Sequence, residues 1–272
     1  MDFKRIEIIF LCAFLGLNLF LLFSFQQGRD TVNTGVDLNS VADIETRLKY
    51  DKITTEKDVF SDEIVEGYYL SATTTDFKKE MKNDTTQDSQ RFVRTQDVVY
   101  EEPIKAKQLE KDLTRFKDGN KQLYKGKDYK FFNRPASDNT NMVFSQVFEK
   151  IPFYDETSEL NIELSKMTKE DLIIETFTQS HLKEIEPLRE KQPVISEREA
   201  IETLYMSNRI PSESTITDTQ LAYTRIFTVR GKNVYIPAWF VWIESSKKNV
   251  RVERVNAFSN SVIAPNVPEM KK

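Results

Sequence analysis

The sequence predicts an α+β fold behind a membrane anchor: an N-terminal transmembrane helix, then an ectodomain of tandem helix-plus-antiparallel-sheet units. Three observations carry this. From Ile6 to Phe25 only Glu7, Asn18 and Ser24 are polar, and a helix of that length spans about 30 Å, the thickness of a bilayer's hydrocarbon core. Beyond this run, segments that alternate apolar and polar residues come in series, as half-buried strands do. Each series follows a helical pattern, so the order of elements repeats.

The anchor is read as retained. A secretory signal has a shorter apolar core and a small-x-small cleavage site, whereas Ser24-Phe25-Gln26-Gln27-Gly28 follows here. Cys12 follows Phe10-Leu11, which is not the small-residue context of a lipoprotein signal. Residues 1–5 form a short tail with Lys4 and Arg5, while Arg29 beyond the helix is offset by Asp30. Positive charge stays inside, so the N-terminus is cytoplasmic and the C-terminal part lies outside the cell membrane. Leu11, Phe14, Asn18, Leu21 and Phe25 recur at spacings of three and four and share one helical face. Lipid cannot hydrogen-bond the Asn18 amide and a partner helix can, so this face is the candidate partner-binding site. A single Asn can also be accommodated without a partner.

Residues 26–39 are polar and read as a stalk. Residues 40–100 form an N-terminal part of the ectodomain. Ser40 is placed to cap a helix bearing Ile44 and Leu48. Glu66–Thr75 and Arg91–Tyr100 read as strands, with a loop over Met81–Ser89 between them. A first helix-plus-meander unit occupies 101–186. Ile104, Leu109, Leu113 and Phe116 line one face of a helix that Gly119 ends. Strands follow at Val143–Tyr154, at Ser158–Lys166 with Leu160, Ile162 and Leu164 on one face, and at Leu172–His181. The polar spacers between them predict an antiparallel meander. Pro187 and Pro193 bracket a connector.

A second unit, 194–265, opens on a capping box of Ser196 and Glu199, with Ile195 placed to staple onto Ala200. Ile201, Leu204 and Tyr205 continue the apolar face. Strands are predicted at Leu221–Val229, Val234–Glu244 and Val250–Phe258, turned by Gly231 and by Ser245–Asn249. Pro237 is expected at an edge or bulge of its strand, because it donates nothing to a ladder.

Composition narrows the chemistry. The chain has 39 basic and 43 acidic side chains. This mild acidity argues against nucleic acid as a partner. The one cysteine, Cys12, lies in the anchor, so no disulfide supports the ectodomain. The one histidine, His181, cannot supply a multi-histidine zinc site and has no Gly-x-Ser-x-Gly elbow to serve; it reads as a surface or sheet-edge residue. Seven glycines leave little material for a phosphate-binding loop, and Ser137–Asn141 lacks the glycine and distal glutamate of a calcium loop. No cofactor or metal is expected. Asp and Glu are scattered over solvated faces. Tyr235, Trp239, Phe240 and Trp242 read as core and sheet packing, with a ligand groove as the other reading.

The opening MDFKRIEIIFLCAFLGLNLFLLFSF resembles the start of the YycI (WalI) family. IPFYDETSELNIELSKMTKEDLIIETFTQ resembles its central meander, and YIPAWFVWIESSKKNVRVERVNAFSNSVI its closing strands. One departure is Asn260-Ser261, where a Gly-Glu turn is expected. The resemblance implies an ectodomain of the YycH/PepSY-like kind, from a low-GC Gram-positive bacterium. It implies a membrane-anchored accessory regulator, not an enzyme, of the WalK–WalR two-component system that controls cell-wall metabolism. The implied partners are a WalK-type sensor histidine kinase and a YycH-like protein, met through transmembrane and ectodomain contacts. Two readings from other classes stand beside it: an extracytoplasmic ligand-binding module, and a hydrolase of wall polymer using paired carboxylates.

Overall fold

The structure is a computed structural model, and it describes residues 11, 13–20, 44–57, 59–81, 92–95, 104–105, 108–132, 140–166, 168, 171–246 and 248–264. The stalk at 26–39 lies outside the described residues, as do 82–89 of the loop expected at 81–89 and 91 and 96–100 of the strand expected at 91–100. Residues 1–47 and 48–272 form two compact units. In the first, residues 11 and 13–20 are helical. A short helix, α1 (Ile44–Tyr50), leads into the second.

The second unit is α+β, as expected, and its sheets are built from strands far apart in sequence. One sheet runs β1 (Thr54–Thr55), β13 (Thr215–Val229), β14 (Lys232–Glu244), β15 (Val250–Asn256), β16 (Ser261–Ile263). It also takes in β3 (Leu70–Thr74), which pairs with β14 and with β11 (Leu182–Pro187). The other runs β4 (Phe92–Thr95), β10 (Asp171–Gln179), β9 (Glu159–Lys166), β7 (Asn141–Phe148), β6 (Tyr129–Phe131). Here β5 (Ile104–Lys105) adds to β10, and β8 (Ile151–Pro152) to β7. A two-stranded ribbon joins β2 (Glu66–Gly67) to β12 (Gln192–Pro193). Every named pair is antiparallel except β1 with β13.

The expected meander is present: β9 pairs with β7 on one side and β10 on the other. Its alternation puts Leu160, Ile162 and Leu164 into a core with Phe77 of the one-turn helix α2 (Phe77–Glu80) and with Leu113 and Phe116 of α3 (Leu109–Gly119). The closing sheet buries Phe240 and Trp242 of β14. In a third cluster, Tyr223 and Tyr235 pack on Phe153.

Several boundaries differ from the expectation. Ile104 is not in the helix. It pairs with Leu172 as part of β5 and is buried there, so sheet burial overrides a helical spacing, and α3 begins at Leu109. The segment 66–75 divides into β2 and β3 because Glu66–Gly67 joins β12 while Leu70–Thr74 joins β11 and β14. The segment 143–154 is folded back at Glu149 and Lys150, both at positive φ, giving the hairpin β7–β8. β13 starts at Thr215, earlier than Leu221, because it continues alongside the end of β14. β10 ends at Gln179, short of His181.

Pro237 lies within a central strand. One edge of β14 is taken by β13; the other is shared by β3, at Asn233–Tyr235, and β15, from Ala238 onward. The Pro237 carbonyl accepts from Ala257 N at 3.0 Å on that shared edge. A strand residue's N–H and C=O point the same way, so the missing N–H falls in the gap between β3 and β15.

Candidate functional site

Three places hold side chains that could do more than pack. The first is the apolar face near the N-terminus. Leu11, Phe14 and Asn18 lie in helical residues and are exposed; Leu21 and Phe25 lie outside the described residues. Among the described residues no helix is long and apolar enough to cross a membrane. The Asn18 amide Nδ2 donates to the Phe14 carbonyl one turn back, at 2.8 Å. One of its two N–H groups is therefore satisfied within its own helix; the side chain also offers a second N–H and a carbonyl.

The second place lies where the N-terminal side of the folded unit is strapped down. The capping box forms: Ser196 Oγ accepts from Glu199 N at 3.2 Å, and Glu199 Oε2 accepts from Ser196 N at 2.8 Å. This fixes the start of α4 (Glu197–Met206) and puts Glu197 in its first turn, where the helix dipole favours a carboxylate. Glu197 is only 5% exposed. Its Oε1 accepts from Lys57 Nζ at 2.5 Å and from the Thr219 hydroxyl, and its Oε2 accepts from Ser61 N at 3.0 Å. Arg198 adds an ion pair to Asp62 at 2.8 Å. Upstream, β1 pairs with the start of β13, and the Thr54 and Thr215 hydroxyls meet at 2.7 Å. Burial alone would raise the Glu197 pKa. The bonds from Lys57, Thr219 and Ser61 outweigh it and hold the carboxyl below its ordinary value. The strap from Thr54 to Asp62 is thus tied to α4 and β13 around one buried charge.

The third place is His181. It is not a surface or sheet-edge residue: it is buried at the step where the chain leaves β10 for β11. Its Nδ1 meets Thr75 Oγ1 at 2.8 Å and its Nε2 meets Asp128 Oδ2 at 3.0 Å. The Tyr124 ring stands edge-on to the imidazole at 5.0 Å. Hydroxyl, imidazole and carboxylate in line have the order of a nucleophile relay. The Thr75 hydroxyl is in a residue with no exposed surface, so the relay is closed to any substrate in this conformation. Burial pushes the imidazole pKa down, and Asp128 pulls the other way without cancelling it. Its neighbours complete a polar knot: Gln179 is bonded to the Tyr124 backbone through both its amide oxygen and nitrogen, and Ser180 Oγ donates to Glu156 O at 2.6 Å.

Asp128 depends on a tight approach. It sits in the 3₁₀ turn Gly126–Asp128, and a Cβ on Gly126 would stand 2.0 Å from the Lys117 carbonyl oxygen. Only glycine fits there.

An open groove of about 880 Å³ runs beside β8, lined by Glu63, Glu66, Glu149, Lys150 and Lys191 around Ile151. Lys191 bridges Glu149 at 3.3 Å and Glu66 at 3.8 Å. The aromatics Tyr235, Phe240 and Trp242 are buried in the core; the Trp239 indole donates to the Ile195 carbonyl at 2.8 Å. Among the described residues no group of three or more His, Cys, Asp or Glu is placed to hold a metal ion.

The sequence brought out Glu199 and Ser196 through their spacing. It missed Glu197, Lys57, Thr75 and Asp128, whose partners lie far along the chain. Comparison with known proteins finds that a family model described as "YycI protein" matches residues 34–258. No curated protein matches. A similar solved structure is that of an uncharacterized protein from Eubacterium rectale, 7% identical, with a TM-score of 0.40, covering 79% of this chain and 92% of that one.

Proposed function

Because the chain belongs to the YycI family and hence to the regulators of the WalK system, we propose that it acts from the membrane, by direct contact with the sensor kinase. In this reading residues 6–25 are an uncleaved single-pass anchor with its N-terminus in the cytoplasm. The α+β unit, of the YycH/PepSY-like kind, is extracellular and meets a YycH-like protein. The anchor face of Leu11, Phe14, Asn18, Leu21 and Phe25 meets the kinase helices. The protein carries no catalysis of its own.

The family match, over residues 34–258, carries the regulatory part of the reading. The 20-residue apolar run supports the anchor. Asn18 suits a modest bias: an interhelical amide bond contributes roughly 0.6–2 kcal/mol, enough to shift a two-state kinase several-fold. The bond to Phe14 lowers the cost of placing the amide in lipid and leaves donor and acceptor capacity for a neighbour.

The test is transcription from a WalK-dependent reporter at matched protein level. Replacing residues 6–25 by an unrelated single-pass helix should abolish regulation, and Asn18→Leu should weaken it and reduce co-purification with the kinase. Full regulation by the anchor chimera would move the function to the extracellular unit and overturn the transmembrane mechanism.

A further inference from the structure

The hairpin of β13 and β14 ends in a tip whose chemistry differs from the rest of the protein. Residues 226–232 are all exposed, including Ile226, Phe227 and Val229. These are three apolar side chains within four residues, on a two-residue turn of Arg230 and Gly231, both at positive φ. Phe227 and Val229 alternate with Thr228 and so share one face. From Thr219 to Ile243 the sequence holds no acidic residue, while Arg225, Arg230 and Lys232 surround the apolar trio. The chain as a whole is acidic, with a net charge of −4. Arg225 is paired with Asp155 and Glu156, and Lys232 with Glu186. Among the described residues Arg230 has no ion pair, and it stands at the apex.

We propose that this tip, residues 225–232, docks onto a bilayer surface containing anionic phospholipid, with Phe227 and Val229 entering the headgroup–acyl boundary. The proposal rests on the reading of residues 6–25 as an anchor. Size favours lipid over protein. A stable protein interface buries about 800 Å² per partner from some 20–30 residues a side, and a tip of seven exposed residues does not reach that. A bilayer accepts a few inserted side chains, and basic residues beside them gain from anionic headgroups. The affinity needed is small, because a tethered domain meets the surface at high effective concentration.

The experiment uses the full chain in nanodiscs of phosphatidylcholine and phosphatidylglycerol. With Cys12→Ser as background, single cysteines are introduced by Phe227→Cys, Val229→Cys, Tyr50→Cys and Asn18→Cys and labelled with an environment-sensitive fluorophore. Brominated phosphatidylcholine then reports depth. The expected result is a blue shift and loss of fluorescence at 227 and 229, weaker than at 18, none at 50, and a smaller loss at 227 when phosphatidylglycerol is omitted. Water-like fluorescence at 227 and 229 in a sample quenched at 18 overturns the tip proposal and leaves the anchor standing. Absence of quenching at 18 as well overturns both. A blue shift at 227 without quenching by brominated lipid also overturns the proposal, because protein then covers the tip.

Discussion

The two buried titratable centres, His181 and Glu197, do the same job by opposite electrostatics. Each ties together segments that are far apart in sequence. At His181 the partners are a hydroxyl and one carboxylate, so a single hydrogen-bonded charge opposes burial of the imidazolium and burial wins. At Glu197 three donors converge on a side chain only 6% exposed, one of them the Lys57 ammonium, and the charged form wins. Desolvation alone therefore does not decide the state of a buried group. What decides it is how many donors or charges are aimed at the ionised form: Lys57 and Asp128 are about equally exposed, at 44% and 46%, but Lys57 is joined at Glu197 by the Thr219 hydroxyl and the Ser61 amide.

The largest expected effect removes the platform of the histidine centre. Gly126→Ala drives a Cβ into the Lys117 carbonyl and displaces the turn that presents Asp128, at a cost of about 3 kcal/mol or more. A urea midpoint unchanged from the parent protein would show that the turn can yield. Next is the glutamate centre. Glu197→Ala leaves the Ser61 amide and Thr219 hydroxyl without their acceptor and costs about 2–3 kcal/mol. Hydrogen exchange should then rise over the strap 54–62 before it rises in β9 or β10. Uniform exchange across both sheets would mean that the strap is not a separate unit.

The pH dependence sharpens the contrast. His181 is held below its ordinary value in the folded state, so the unfolded chain takes up a proton first on acidification. Its contribution is present above the ordinary imidazole value of about 6.5 and is lost as pH falls below it. Glu197 is also depressed, so its contribution is present above the ordinary glutamate value, about 4.3, and is lost as pH falls through the folded value. His181→Gln should flatten the stability curve in the upper window only, and Glu197→Gln in the lower window only. Interchanged windows in a pH series of urea midpoints would refute these assignments. The smallest effect is at the rim of the strap: Asp62, with its side chain 72% exposed, pairs with Arg198, and Asp62→Asn should move stability by no more than about 0.5 kcal/mol in the same assay.

What could be read from the sequence was what depends on near neighbours. Leu160, Ile162 and Leu164 announce a half-buried strand because a strand's faces alternate at every residue. Ser196 and Glu199 announce a helix start because the capping box closes within one turn, and Gly231 announces a hairpin because its turn needs positive φ. The α+β class and the order of the meander follow from such signals. In the apolar run with Asn18, residues 11 and 13–20 are helical, in keeping with the spacing along one helix.

The tertiary structure decided what depends on partners distant in the chain. Thr75 is 106 residues from His181, and Lys57 is 140 from Glu197, so no local pattern marks either centre. Ile104 fits a helical stripe but belongs to a strand, because the edge of β10 was there to receive it. Pro237 breaks the rule for central strands only because two partners, β3 and β15, share one edge of β14 and leave a gap at its missing N–H. Spacing sets which face a residue presents; the assembled sheets set what that face meets, and with it whether a buried histidine stays neutral and a buried glutamate stays charged.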